Sequence, residues 1–76
     1  MVDVMEEADA ITVVAEMPGI RAADVSVSIE HDVMAIEAAH GEKKYRKEVL
    51  LPKPVSAEKP RISCNNGIVE IRCRMK

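Results

Sequence analysis

The segment RISCNNGIVEIRCR, residues 61–74, decides the fold. Apolar and polar residues alternate on both sides of Asn66-Gly67, a dipeptide that suits a type I′ turn because both central residues take positive φ. The pattern predicts a β-hairpin with strands at about 61–65 and 68–74. Its register would pair Cys64 with residue 69 and Cys73 with residue 60. The two thiols would then lie roughly 13 Å apart along the ladder, too far for a disulfide.

The same period-two alternation runs through most of the chain, and helical spacing is rare. It begins in MVDVMEEADAITVV and returns in VSVSIE, MAIEA and the segment that ends at Leu51. Turn signals separate these segments, notably Pro18-Gly19, His31-Asp32 and His40-Gly41. About seven short strands spaced in this way predict an all-β domain over residues 1–76, an antiparallel β-sandwich of immunoglobulin-like form.

Two turn glycines are expected to differ in their tolerance of substitution. A β-branched residue at positive φ is strained, and the sequence assigns a strict need for positive φ only to Gly67 in the Asn-Gly turn. Gly67→Val is therefore expected to be more harmful than Gly41→Val.

Composition excludes several classes of protein. The 76 residues include no Phe or Trp and a single Tyr, so the core must be aliphatic. A net charge of −2 gives no general attraction to nucleic acid or to an anionic membrane. No apolar run approaches the roughly 20 residues of a membrane span. Two cysteines are too few for a disulfide scaffold, which favours a reduced, cytoplasmic protein.

The sequence contains no catalytic or metal-binding constellation. His31 and His40 fall in predicted turns without further ligands at metal spacing. The three glycines are scattered and form no phosphate-binding loop. The basic run EKKYRKE is bounded by Glu42 and Glu48 and has one aromatic residue, so a charged sheet edge is favoured over an RNA-binding surface. We therefore expect no enzyme activity, no metal and no cofactor.

Four segments carry a family resemblance: VDVMEEADAITVVAEMPGI, ADVSVSIEHDVMAIEA, YRKEVLLPKPV and RISCNNGIVEI. In this order they resemble the α-crystallin domain of small heat-shock proteins, especially the prokaryotic kind, and they span nearly the whole chain. Two features depart from that pattern. Only about five residues, His40 to Lys44, replace the long loop whose strand is exchanged between prokaryotic subunits. The segments contain none of the family's flanking arms, so we expect a domain excised from a longer protein.

The resemblance implies an ATP-independent chaperone of the stress response, a holdase that binds unfolded or partly folded proteins. In the family, a groove between two sheet edges accepts an Ile-x-Ile tail. Carried over by position, its walls are Val25, Val27 and Ile29 on one strand and Ile62 and Cys64 on the other. Simple core packing is the alternative role of these five residues.

Two other functions are compatible with the same resemblance. One is an interaction module of a larger protein, such as an ATPase of the arsenite-pump or tail-anchored-protein-targeting type, which the short His40–Lys44 loop favours. The other is a CS-type co-chaperone that docks an ATP-driven chaperone. The EMPG and NNGIVEI segments favour the holdase and the module over the co-chaperone.

The short loop also predicts the mode of self-association. Without an exchanged strand, the exposed edge around residues 42–51 is expected to pair with its own copy in antiparallel register, as in animal members of the family. The outward residues of this edge are Lys44, Arg46, Glu48 and Leu50. The expected product is a weak dimer.

Overall fold

The computed structural model describes residues 2–76 as seven strands and one short 3₁₀ helix, Ala22–Asp24. The longest helical segment in this range has three residues, so the range contains no candidate for a membrane-crossing helix. The strands are β1 (Val2–Glu6), β2 (Ala10–Glu16), β3 (Val25–Glu30), β4 (Val33–His40), β5 (Lys43–Leu50), β6 (Arg61–Asn65) and β7 (Ile68–Arg74).

The strands form two sheets in which all neighbours are antiparallel. One sheet has the order β1-β2-β7-β6, and the other has the order β3-β4-β5. The sheets bury their inner faces against each other, which confirms the predicted seven-stranded β-sandwich. Four strands are edges: β1 and β6 in the larger sheet, and β3 and β5 in the smaller one.

The core consists of aliphatic and methionine side chains from alternate strand positions. Val13 of β2 lies opposite Ile71 of β7, which in turn lies opposite Ile62 of β6. From the smaller sheet, β4 contributes Met34 and Ile36. The completely buried apolar residues are Ile11, Val13, Ala15, Met17, Met34, Ile36, Val69 and Ile71.

The β6–β7 hairpin has the predicted turn and register. Asn66 has φ 53° and Gly67 has φ 78°, so both central residues adopt the positive φ of a type I′ turn. Cys64 pairs with Val69, and Cys73 is paired with Ile11 of β2. Both cysteines are free thiols, and burial raises the pKa of the Cys73 thiol.

The Met17–Ile20 turn after β2 is attached to three other parts of the sandwich. The Met17 backbone N–H donates to the Gly67 carbonyl at 2.7 Å. The Tyr45 hydroxyl donates to the Pro18 carbonyl at 2.8 Å, and the Cys64 thiol donates to the Ile20 carbonyl at 2.8 Å. This turn therefore connects β5 of the smaller sheet to β6 of the larger one.

The β4–β5 connection is shorter than the sequence indicated. His40 pairs with Lys43, so only Gly41 and Glu42 lie between the two strands. Gly41 has φ 61° and also occupies the left-handed region. The premise that only Gly67 requires positive φ is therefore wrong, because a two-residue hairpin loop imposes it here as well.

Candidate functional site: the open sheet edges

Three predicted groove residues lie on the inner face of edge strand β3. Val25, Val27 and Ile29 are half-buried and pack against the core, whereas Ser26 and Ser28 point outward. Each inward side chain keeps an exposed fraction because β3 has no neighbour on its free side. The edge therefore presents an apolar row beside unpaired backbone groups.

The other two predicted groove residues lie on the inner face of edge strand β6. Ile62 and Cys64 are half-buried and contact the same core as the β3 row. The Cys64 thiol is occupied by its hydrogen bond to the Ile20 carbonyl. The five residues thus lie on one edge strand of each sheet and pack on a shared core, and each keeps a partly exposed side chain.

A cleft of about 670 Å³ adjoins the β3 row. Val27 and Ile29 line one side, and Val55 with the rest of the 54–60 loop lines the other. Val25, Ile62 and Cys64 are outside this cleft. The sequence analysis did not predict that this loop forms one wall of the cleft. The available signal was Val55, an apolar residue in a proline-bounded loop between Pro54 and Pro60. The loop is anchored because Val55 forms a bridge with Met75, and the Ser56 N–H donates to the Arg74 carbonyl at 2.7 Å.

The predicted dimer-edge residues lie on the outer face of β5. Lys44, Arg46, Glu48 and Leu50 are all exposed, and Arg46 forms an ion pair with Glu48 at 3.2 Å. Leu50 is 73% exposed and lies opposite Val33, which is 40% exposed. The free edge of β5 therefore combines a mainly basic stretch, with one outward acid at Glu48, and an apolar end.

A charged cluster occupies the start of β3. Asp24 accepts hydrogen bonds from Arg21 at 3.3 Å, and the Arg21 guanidinium and backbone N–H hold the pKa of the Asp24 carboxyl below its usual range. His40 Nδ1 lies 3.2 Å from the same carboxylate. His40 is thus the last residue of β4 with an acidic partner, not a free turn histidine.

Within residues 2–76, no three His, Cys, Asp or Glu side chains come together in a way that could hold a metal ion. What these residues do present is a β-sandwich with open edges and inward apolar rows on two of them. This combination is compatible with the α-crystallin-type domain that the sequence resembles.

Comparison with known proteins places the chain in a family. The model of the Hsp20/alpha crystallin family matches residues 3–76. The chain therefore belongs to the Hsp20/α-crystallin family, whose members are the small heat-shock proteins. No curated protein sequence matches the chain significantly.

Solved structures of small heat-shock proteins share the fold. HspA from Xanthomonas axonopodis has a TM-score of 0.85 at 21% identity, with 100% of this chain and 92% of that chain covered. A small heat-shock protein from Xylella fastidiosa has a TM-score of 0.78 at 20% identity, covering 100% and 84% of the two chains. Heat shock protein 16.0 from Schizosaccharomyces pombe has a TM-score of 0.80 at 18% identity, covering 99% and 84%.

Proposed function

We propose that this domain is the core of an ATP-independent holdase, which binds extended apolar segments of partly unfolded proteins along its open edges. One observation carries the proposal: Val25, Val27 and Ile29 on β3, and Ile62 and Cys64 on β6, are apolar, inward and only half-buried on strands with a free side. An added strand supplies backbone hydrogen bonds to such an edge, and its alternate side chains enter the apolar row.

The proposed activity requires no catalytic residue, metal or cofactor. It is supported by the positions of the three glycines, each of which has positive φ in a short turn rather than in a phosphate-binding loop. We assign the activity to the cytoplasm, since a chain with only two cysteines has no disulfide scaffold of the kind common in secreted domains of this size.

Val27→Thr is expected to weaken client protection by about fivefold, because a hydroxyl in place of a buried methyl costs about 1 kcal/mol in an apolar contact. The measurement is light scattering of an aggregating client such as reduced insulin, titrated with the domain with and without ATP. Val14→Thr is the matched control, since Val14 is also half-buried but faces outward between Asp3 and Glu70. Equal losses in the two variants, or protection only with ATP, would contradict the proposal.

We also propose a weak dimer through β5. Pairing centred on Arg46 places Lys44 opposite Glu48 twice, and pairing centred on Lys47 places Arg46 opposite Glu48 twice. Each register therefore sets two favourable pairs against one repulsive pair, and each such pair contributes at most about 1 kcal/mol. The proposal is supported by the two-residue β4–β5 connection, which contains no strand for exchange.

The expected result is a sedimentation coefficient that falls from the dimer value to the monomer value on dilution. Glu48→Lys should shift the chain to monomer at all concentrations, because it makes both favourable pairs repulsive. A large species that resists dilution, or a dimer unaffected by Glu48→Lys, would contradict the β5 interface.

The two-residue β4–β5 connection also favours a second function, that of an interaction module within a larger protein such as an arsenite-pump or tail-anchored-protein-targeting ATPase. The reading frame around this segment distinguishes the two. A Gly-rich phosphate-binding motif upstream supports the module, and an Ile-x-Ile motif soon after Lys76 supports the holdase.

A further inference from the structure

The outer side of edge strand β6 belongs to a basic surface that the groove does not use. Arg61, Ser63 and Asn65 point outward on β6, opposite in direction to Ile62 and Cys64. Arg61 opens onto a cleft of about 340 Å³. The cleft is lined by Asp9, Ala10, Glu58, Lys59, Arg61, Arg72 and Arg74.

The ion pairs leave positive charge at the edge. Arg72 pairs with Glu7 at 2.7 Å and with Asp9 at 3.8 Å. Arg74 pairs with Glu58 at 3.8 Å. Among the ion pairs formed within residues 2–76, none involves Lys59 or Arg61.

Arg61 also faces a like charge. It lies directly opposite Arg72 on the same face of the sheet, and the Arg72 guanidinium is already paired with Glu7 and Asp9, whereas Arg61 is not paired with any described residue. A carboxylate placed beside Arg61 would give it the ion-pair partner that it lacks within residues 2–76. The outer side of β6 is thus complementary to an acidic side chain.

A segment added to β6 would place its side chains alternately on the two faces. Its inward residues would join the apolar row of Ile62 and Cys64. The residue opposite Arg61 would lie about 5 Å from it, as cross-strand neighbours do, and would be flanked by the inward residues opposite Ile62 and half-buried Pro60. The ligand pattern that fits β6 is therefore apolar–acidic–apolar.

The other groove edge lacks this feature. The outward residues of β3 are Ser26, Ser28 and Glu30, so an acidic residue added there meets hydroxyls and a carboxylate. An acidic preference would consequently direct a segment to β6 rather than to β3.

We propose that the β6 edge selects extended peptide segments in which an acidic residue lies between two apolar residues, with Arg61 and Lys59 as the specificity-determining cations. The proposal rests on the proposed groove and adds its preferred ligand. A protein segment fits better than a nucleic acid, because the chain has a net charge of −2 and its one aromatic residue, Tyr45, is on β5 of the other sheet.

The test compares labelled peptides of sequence Gly-Ser-Val-Glu-Val-Glu-Val-Ser-Gly with versions that carry Gln or Lys in place of Glu. By fluorescence anisotropy at about 0.02 M salt, we expect the Glu peptide to bind about two- to fivefold tighter than the Gln peptide for each exposed charge pair formed. The Lys peptide should bind weakest. The difference should shrink at about 0.5 M salt, where screening shortens the range of the interaction.

Variants identify the cation responsible. Arg61→Gln should reduce the preference for the Glu peptide over the Gln peptide, and Arg61→Gln combined with Lys59→Gln should abolish it. Arg61→Glu should make the Lys peptide bind tightest. Lys53→Gln is the matched control, because it removes one exposed charge that pairs with Glu6 at 3.0 Å, outside the basic cleft. Arg61→Gln should leave the melting temperature nearly unchanged, since the Arg61 side chain is exposed and forms no ion pair within residues 2–76.

The possible outcomes distinguish the acidic preference of the β6 edge from peptide binding in the groove as such. Amide shifts confined to 61–65 on addition of the Glu peptide support both. Equal binding of the Glu and Gln peptides at 61–65, or shifts confined to Val25–Glu30, overturn the acidic preference and leave the groove intact. Failure of every peptide to bind overturns both proposals. Displacement of the Glu peptide by a short oligo-thymidine would reveal a general polyanion site and would also overturn the preference.

Discussion

Ile71→Ala is expected to lower the free energy of unfolding by about 2–5 kcal/mol. Ile71 is completely buried and lies between Val13 and Ile62 on neighbouring strands. Removing its outer carbons loses their transfer free energy and leaves a cavity, because two flanking strands hold the backbone in place. A 76-residue chain has a total stability of only about 4–11 kcal/mol at the usual value per residue, so this single substitution is expected to remove a large fraction of it.

Urea unfolding followed by circular dichroism measures this loss, and two further variants calibrate it. Ile71→Val should cost only about 0.5–1.5 kcal/mol, since it removes one methylene. Ile68→Ala on the same strand should cost less than Ile71→Ala, because Ile68 faces outward and is half-buried. Similar losses for Ile68→Ala and Ile71→Ala would contradict the assignment of Ile71 to the buried face of β7 and of Ile68 to the outward face.

The fold could be predicted because its determinants are local in the sequence. Alternation assigns the inward face of each strand, as at Val25, Val27 and Ile29, and Asn66-Gly67 sets the register of the last hairpin. The alternation rule fails at Thr12. Thr12 lies on the outward face of β2 but is 2% exposed, because its hydroxyl donates to Glu7 Oε1 at 2.8 Å, an oxygen that also accepts from Arg72.

Alternation predicts which residues of the edge strands point inward, but it does not predict which loops and charged side chains lie beside those edges. The 54–60 wall of the β3 cleft has no periodicity that would place it, and its position depends on the bridge between Val55 and Met75. The charge around β6 likewise cannot be predicted without knowing the order of the strands in the sheet. Arg72 and Glu7 are 65 residues apart in the sequence but 2.7 Å apart in space, so the sequence alone does not show that Arg72 is compensated and Arg61 is not.

Gly67 in the β6–β7 turn also makes contacts that are distant in the sequence, because it lies beside Met17 and Pro18. Gly67 was predicted to be sensitive because of its positive φ, but Gly41 shares that conformation, with φ 61° against 78°. The two positions differ in their neighbours. A Cβ at Gly67 would lie 3.1 Å from the Pro18 Cα, whereas a Cβ at Gly41 would meet no atom within 4 Å.

Gly67→Val is therefore expected to cost about 2–5 kcal/mol, and Gly41→Val about 1–2 kcal/mol. Both variants place a β-branched residue at positive φ, which costs about 1–2 kcal/mol. At position 67, the contact with the Pro18 backbone adds about 1–3 kcal/mol, since neither the turn nor the Met17–Gly67 hydrogen bond can shift freely. Each kcal/mol lowers the melting temperature of a domain this small by about 4–8 °C. Thermal melts of the two variants should thus differ clearly, and equal melting temperatures would show that Pro18 does not constrain the β6–β7 turn.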